Sequence, residues 1–249
     1  MKALHIAASG MSAQQTQIDT VANNLANVNT TGFKKSRAAF QDVYYQELEG
    51  GARGARADLG GGTRLAGLGK DHSAGLMVET GDPLHVALNG PGFLTLEDQQ
   101  GNAVYTRDGS LRVDADGLLR SAGGLAVSGD ILVPPDATSV LIEQDGTVSA
   151  LVDGDARPLA LGQLEIARFR NAQGLRALGG NLYGETAESG EPALDDGETA
   201  IRQGILEGSN VDVAEELINL VTSQRAYELN SKVIQAADEA MQIAANLKR

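Results

Sequence analysis

At 249 residues with 31 Gly, no Cys and no Trp, the chain is long enough for one large domain or two small ones, yet poor in the bulky side chains that fill an enzyme core. The missing Cys excludes disulfide staples, thiolate zinc sites and Cys nucleophiles. The net charge of −13 is uneven: residues 1–70 carry eight Lys/Arg against five Asp/Glu, residues 71–249 twelve against twenty-eight, and so acidic a body argues against nucleic acid as a partner.

An apolar heptad opens the chain. Leu4, Met11, Ile18 and Leu25 fall seven apart, with Ala7, Val21 and Val28 on companion positions. This predicts a helix from about Lys2 to about Leu25, roughly 36 Å long at about 1.5 Å per residue. The first eight residues are similar to a short signal peptide. Polar Gln14, Gln15, Gln17 and Asp19 follow where a leader would stay hydrophobic, so no cleaved signal is expected. No uninterrupted apolar run of about 18 residues exists to span a membrane.

Asn23, Asn24, Asn27 and Gly32 predict a helix stop and a sharp turn, because Asn side chains compete for backbone hydrogen bonds and Gly accepts the left-handed conformation. A direct partner contact is the alternative reading of that group. Phe33, Phe40, Val43 and Tyr44 predict a strand or helix returning against the first one. Residues 50–70 hold eight Gly and read as a flexible linker or an extended arm.

From about Leu76 to Glu207 short β-branched runs alternate with Asn-Gly at 89–90 and Asp-Gly at 108–109, 116–117, 145–146 and 196–197. That pattern predicts the hairpins of an antiparallel β module. Gly208 to Asp212 offers caps for a last helix from about Val213 to Leu247. Glu215 and Glu216 stand in its first turn and Lys248 and Arg249 at its end, which matches the helix dipole. Along it Val213, Leu220, Tyr227, Ile234 and Met241 repeat the seven-residue spacing, flanked by Leu217, Val233 and Ala237.

The expected fold class is therefore α+β. A discontinuous, coiled-coil-like domain is built from residues 1–48 and 208–249, a Gly-rich linker or arm covers 49–75, and an antiparallel β domain is inserted at 76–207. A heptad stripe keeps one face turned to a partner helix. The assembly-interface candidates are thus Leu4, Met11, Ile18, Val21 and Leu25 at the front and Val213, Leu217, Leu220, Tyr227, Ile234 and Met241 at the back. Packing of the two helices on each other within one chain is the other reading of the same stripes.

Chemistry is hard to place. His5, His72 and His85 are far apart with no His-Glu-x-x-His spacing. The run Gly67-Leu68-Gly69-Lys70-Asp71 lacks the first Gly and the final Ser or Thr of a phosphate loop. Asp114-Ala115-Asp116-Gly117 lacks the later ligands of a calcium loop and reads as a hairpin turn. No catalytic, cofactor-binding or metal-binding residues and no cofactor are expected; the chain reads as a building block.

The segment Ala22-Asn23-Asn24-Leu25-Ala26-Asn27-Val28-Asn29-Thr30-Thr31-Gly32-Phe33-Lys34 resembles the signature of the bacterial flagellar axial family of rod, hook and hook-associated proteins. Its signature turn is carried here by Asn23, Asn24, Asn27, Gly32 and Phe33. Gly208 to Leu217 and Gln224 to Lys232 resemble the C-terminus of the rod proteins. Between them Gly90-Pro91-Gly92-Phe93, Tyr105-Thr106-Arg107-Asp108-Gly109 and Gly180-Asn181-Leu182-Tyr183 are similar pieces. The C-terminal segments favour the distal over the proximal rod subfamily. The short, Gly-rich stretch at 50–70 departs from the distal pattern and leaves the proximal rod open, while hook proteins are usually longer.

The resemblance implies a subunit exported unfolded and uncleaved by the flagellar type III apparatus. It implies a helical homopolymer, a hollow tube whose channel is lined by the terminal helices and whose shell is the β module, carrying torque through the periplasm from motor to hook. The partners it implies are other rod proteins, the hook protein and the P-ring and L-ring bushing.

Overall fold

The computed structural model describes residues 2–48, 57–153 and 157–246, with a helix towards each end and antiparallel strands between them. The chain divides into two units. One holds Met1–Ala26, Ser36–Lys70 and Asp212–Arg249, the other Asn27–Lys35 and Asp71–Val211. The partition differs from the expected one at its borders. Residues 27–35 and 208–211 go with the strands, and 36–70 goes with the helices.

In the helical unit, α1 (Lys2–Ala26) and α2 (Val213–Asn246) pack against each other. Asp212 caps α2, its Oδ1 accepting from the N–H groups of Ala214 at 2.8 Å and Glu215 at 3.2 Å. The expected basic residues at the far end, Lys248 and Arg249, lie outside the described residues, as does Leu247.

The return after α1 is a strand. β1 (Ser36–Asp42) and β2 (Tyr45–Leu48) pair antiparallel with β4 (Thr63–Lys70) and β3 (Ala57–Gly60) respectively, from Ser36 opposite Lys70 to Leu48 opposite Ala57. The described part of the Gly-rich stretch is therefore strand and not linker; residues 49–56 lie outside the described residues. Glycine is a poor strand former through its lost side-chain packing. A ladder of backbone bonds to β1 needs no side chains, and the arm is made that way. The far end of the β1–β4 ladder is tied to α1, where Ser9 Oγ accepts from Thr63 N–H at 3.2 Å.

The β unit contains β5 (Met77–Glu79), β6 (Val86–Asn89), β7 (Phe93–Glu97) and β8 (Ala103–Thr106), with β7 and β8 central to a nine-stranded sheet. Residues 200–203 pair with β6 and 205–207 with β5, while 137–142, 147–152 and 159–163 make a three-stranded sheet. Leu94, Leu96, Val127, Ile131, Val148 and Ile201 anchor one apolar core. Phe93, Tyr105 and Tyr183 form a second, with Phe169 edge-on to Phe93 and Tyr105.

The Asp-Gly turns at 116–117 and 145–146 join paired strands as expected. Three others do not. β6 and β7, on either side of Asn89-Gly90, pair with different partners, and 193–194 and 200–203, around Asp196-Gly197, also pair elsewhere. Gly109 turns no hairpin either. A Cβ there would collide with the carbonyl of Val86, whose own N–H donates to Gly109 O at 3.0 Å. At Asp108-Gly109 the small residue serves close backbone approach instead of a turn.

Candidate assembly surfaces

Two seven-residue registers run along α2. Glu216 and Ser223 are buried, and Asn230 and Ala237 continue their line as half-buried residues. This polar and small register is the more deeply buried of the two. Gly10 of α1 lies beneath Asn230, where a Cβ would stand 2.9 Å from its amide nitrogen. Ala7 and Ala13 are buried one turn away on either side. Small residues let two helix backbones come close, and here they set the line of contact.

The apolar register expected to form the seam is shallower. Leu220 and Ile234 are half-buried; Val213, Tyr227 and Met241 are exposed, as is flanking Leu217. On α1, Leu4, Met11, Ile18 and Leu25 are half-buried. Val21 is 1% exposed. That burial takes Val21 off the assembly-interface list, because a side chain already packed within its own unit has no surface left for a neighbour.

Opposite the polar register or about 100° to its sides, at 100° per residue, stand Leu217, Ile218, Val221, Leu229 and Ile243, between 46% and 66% exposed. These large aliphatic side chains leave the outward side of α2 apolar and exposed. Ile218, Val221, Leu229 and Ile243 escaped the sequence reading because they fall off the strict heptad. A wider helical stripe, taken at i, i+3 and i+4, would have found them.

The signature turn serves both units, each through its own contacts. Within the helical unit Asn24 is buried. Its Oδ1 accepts from Ser36 N–H at 2.8 Å, and its Nδ2 donates to Ser36 O at 2.9 Å and to Glu216 Oε1 at 3.3 Å. One side chain so joins α1, β1 and α2. Asn23 is exposed, and Asn27 Oδ1 accepts from Thr30 Oγ1 at 3.2 Å.

Within the β unit Gly32 has φ +64°, and a Cβ there would stand 2.6 Å from Asp108 N. No other residue fits. Phe33 is buried beside it. Thr31 Oγ1 donates to Asp108 Oδ1 at 3.0 Å, and Asn181 Nδ2 donates to Thr31 O at 2.8 Å. Next to them Lys34 Nζ meets Glu207 Oε1 at 2.6 Å, and Arg107 Nη1 lies 3.5 Å from Glu207 Oε2. Arg107 also donates to Gly90 O at 2.7 Å, its guanidinium 5.0 Å above the Phe93 ring. Burial pushes the Lys34 ammonium below its ordinary range, with the Glu207 carboxylate acting the other way.

All the short pieces singled out in the β region thus converge on one place: Gly90 and Phe93, Arg107 and Asp108, and Asn181, around residues 31–34. Sequence reasoning left Glu207, Arg107 and Lys34 unassigned, although Lys34 and Arg107 lie inside the quoted motifs. Among the described residues no group of three or more His, Cys, Asp or Glu is placed to hold a metal ion, and no helix is long and apolar enough to cross a membrane.

Residues 4–34 match the family described as flagella basal body rod protein, and residues 87–150 match the D1 domain of flagellar hook protein FlgE/F/G. Residues 202–247 match the C-terminal family of flagellar basal body rod FlgEFG protein. The flagellar basal-body rod protein FlgG of Borreliella burgdorferi is 44% identical over 263 residues, covering 100% of this chain and 99% of that one. The FlgG of Agrobacterium fabrum is 42% identical over 262 residues, covering all of both chains. The FlgF of Escherichia coli is 33% identical over 244 residues, covering 95% of this chain and 94% of its own.

Proposed function

The chain belongs to the flagellar basal-body rod protein family, and we propose that it polymerises through the outward apolar back of α2 into the distal part of the rod. It is a structural subunit of that rod. The distal position is favoured by identity to FlgG relatives along the whole length, 44% and 42% against 33% for the FlgF relative. The proximal rod is the second reading, favoured by the Gly-rich arm.

The observation that carries polymerisation is the row from Leu217 to Ile243, left uncovered in a single chain while the polar register of α2 is occupied by α1. Burying one such side chain against a neighbour is worth roughly 1.5–3 kcal/mol. Repeated around a tube, a few contacts per subunit hold against torque. The paired terminal helices act as the inner, coiled-coil-like wall and the acidic β unit as the shell. Leu4, Met11, Ile18, Leu25, Val213, Leu220, Tyr227, Ile234 and Met241 contribute the exposed parts of their side chains to that wall. Export by the type III apparatus, passage through the periplasm and contacts with the hook protein and the P- and L-rings follow from the same reading.

The experiment is complementation of a deletion strain with a Val221→Asp chain. Basal bodies imaged by electron microscopy should lack a completed rod while the secreted subunit keeps its fold. Normal rods and swimming would overturn the assignment of this face.

A further inference from the structure

Residues 32–35 follow α1 closely in the chain, yet their path is held from far away. Gly32 N–H donates to the backbone oxygen of Glu207 at 2.7 Å, and Asn210 N–H donates to Phe33 O at 3.4 Å. Lys34 Nζ donates to Glu207 Oε1, 173 residues on, and to Ser73 O at 2.7 Å. Lys35 N–H donates to Asn210 Oδ1 at 2.7 Å, 175 residues on.

Residues 71–75, which follow the arm, are tied to the same two side chains. Gly75 N–H donates to Glu207 Oε1 at 2.8 Å, and Asn210 Nδ2 donates to Asp71 O at 2.8 Å. Asp71 N–H closes the ring by donating to Lys35 O at 2.9 Å. The Lys34 and Glu207 side chains have 0% exposure, so neither charge is solvated in the folded chain.

We propose that residues 207–210 are a closing clasp: the segments 32–35 and 71–75 take their native paths only when this C-terminal stretch docks. The physical reason is the Lys34 ammonium. Buried without a carboxylate it is strongly disfavoured. Until Glu207 is in place the segment carrying Lys34 must stay in water, and Gly32 and Lys35 lack their acceptors. The inference goes beyond rod membership, since it concerns how one subunit closes, and its test needs no rod.

The test is amide hydrogen exchange on the purified full-length protein and its Lys34→Met, Lys34→Arg and Asn210→Ala variants. Lys34→Met should speed exchange at Gly32, Lys35 and Gly75 by about 10-fold or more, while β7 and β8 stay within about 3-fold of the parent. Lys34→Arg, which keeps the cation, should restore most of that protection. Asn210→Ala leaves the ion pair intact and should release Lys35 and Asp71, which keeps the test decisive if Lys34→Met does not fold. Unchanged exchange at Gly32 and Lys35 in Lys34→Met, or at Lys35 and Asp71 in Asn210→Ala, overturns the clasp. So does equal acceleration across β7 and β8, which would mean that the contacts hold the whole unit and not a separable closure.

Discussion

Lys34 and Glu207 meet at 2.6 Å with no exposed side-chain surface on either, 173 residues apart in the chain. A buried pair of this kind adds little net stability over an apolar pair of the same volume, because desolvation offsets the attraction. Removing one partner is a different matter, since it strands the other charge. Glu207→Gln should therefore cost about 3–5 kcal/mol, read as a fall in the denaturant midpoint of the β unit. A loss under about 1 kcal/mol would mean that water reaches the pair in solution.

How far all this was legible in the sequence depends on the kind of signal. The helices were found nearly to the residue, Lys2 to Leu25 against an observed end at Ala26, because periodic apolar positions mark a helix strongly. The seam between them was missed. It includes Asn230 over Gly10 and Glu216 against Asn24, with Ser223 buried between them on α2, and a search for apolar stripes passes over polar and small residues. The arm was ambiguous because its order comes from backbone pairing that composition does not record. The convergence of Lys34, Arg107 and Glu207 needs the tertiary fold, since no periodicity links residues so far apart.

Val21 and Val221 separate stability from assembly. Val21 is buried in the helical unit at 1% exposure, so Val21→Ala should lower thermal stability by about 1–2 kcal/mol. Val221 is 46% exposed, so Val221→Asp should leave the monomer within about 0.5 kcal/mol of the parent yet block polymerisation. Calorimetry paired with sedimentation of polymers reads both. Should Val221→Asp destabilise the monomer as much as Val21→Ala does, that side chain is packed within the subunit and the outward face is misassigned.

Asn24 gives the arm its anchor. Its paired bonds to the N–H and C=O of Ser36 imitate one rung of a β-ladder, and the third bond reaches Glu216. Asn24→Asp keeps the acceptor but loses both donors and brings a second carboxylate to Glu216. We expect a loss of about 2–3 kcal/mol and faster amide exchange along β1, with α1 itself intact. Unchanged protection along β1 beyond Ser36 would show that the strand is held by β4 alone.

Tyr183 supplies a prediction in alkaline solution. The phenol is 2% exposed, and burial pushes its pKa up to about 12, with the nearby Arg107 guanidinium pulling down and Glu207 pushing up. An unfolded Tyr titrates near 10. Between about pH 10 and about pH 12 the unfolded chain gives up this proton and the folded chain keeps it. The contribution of Tyr183 is thus complete below about pH 10 and is lost as pH climbs towards 12, by about 2–3 kcal/mol. Burial raises the Tyr105 phenol in the same direction, so part of the fall survives any change at Tyr183. Unfolding midpoints at about pH 9 and about pH 12 should therefore drop in the parent and drop less, by about 2 kcal/mol, in Tyr183→Phe. Equal drops in the two proteins would show that Tyr183 ionises as freely folded as unfolded, and that the aromatic cluster around Phe93 is open to water.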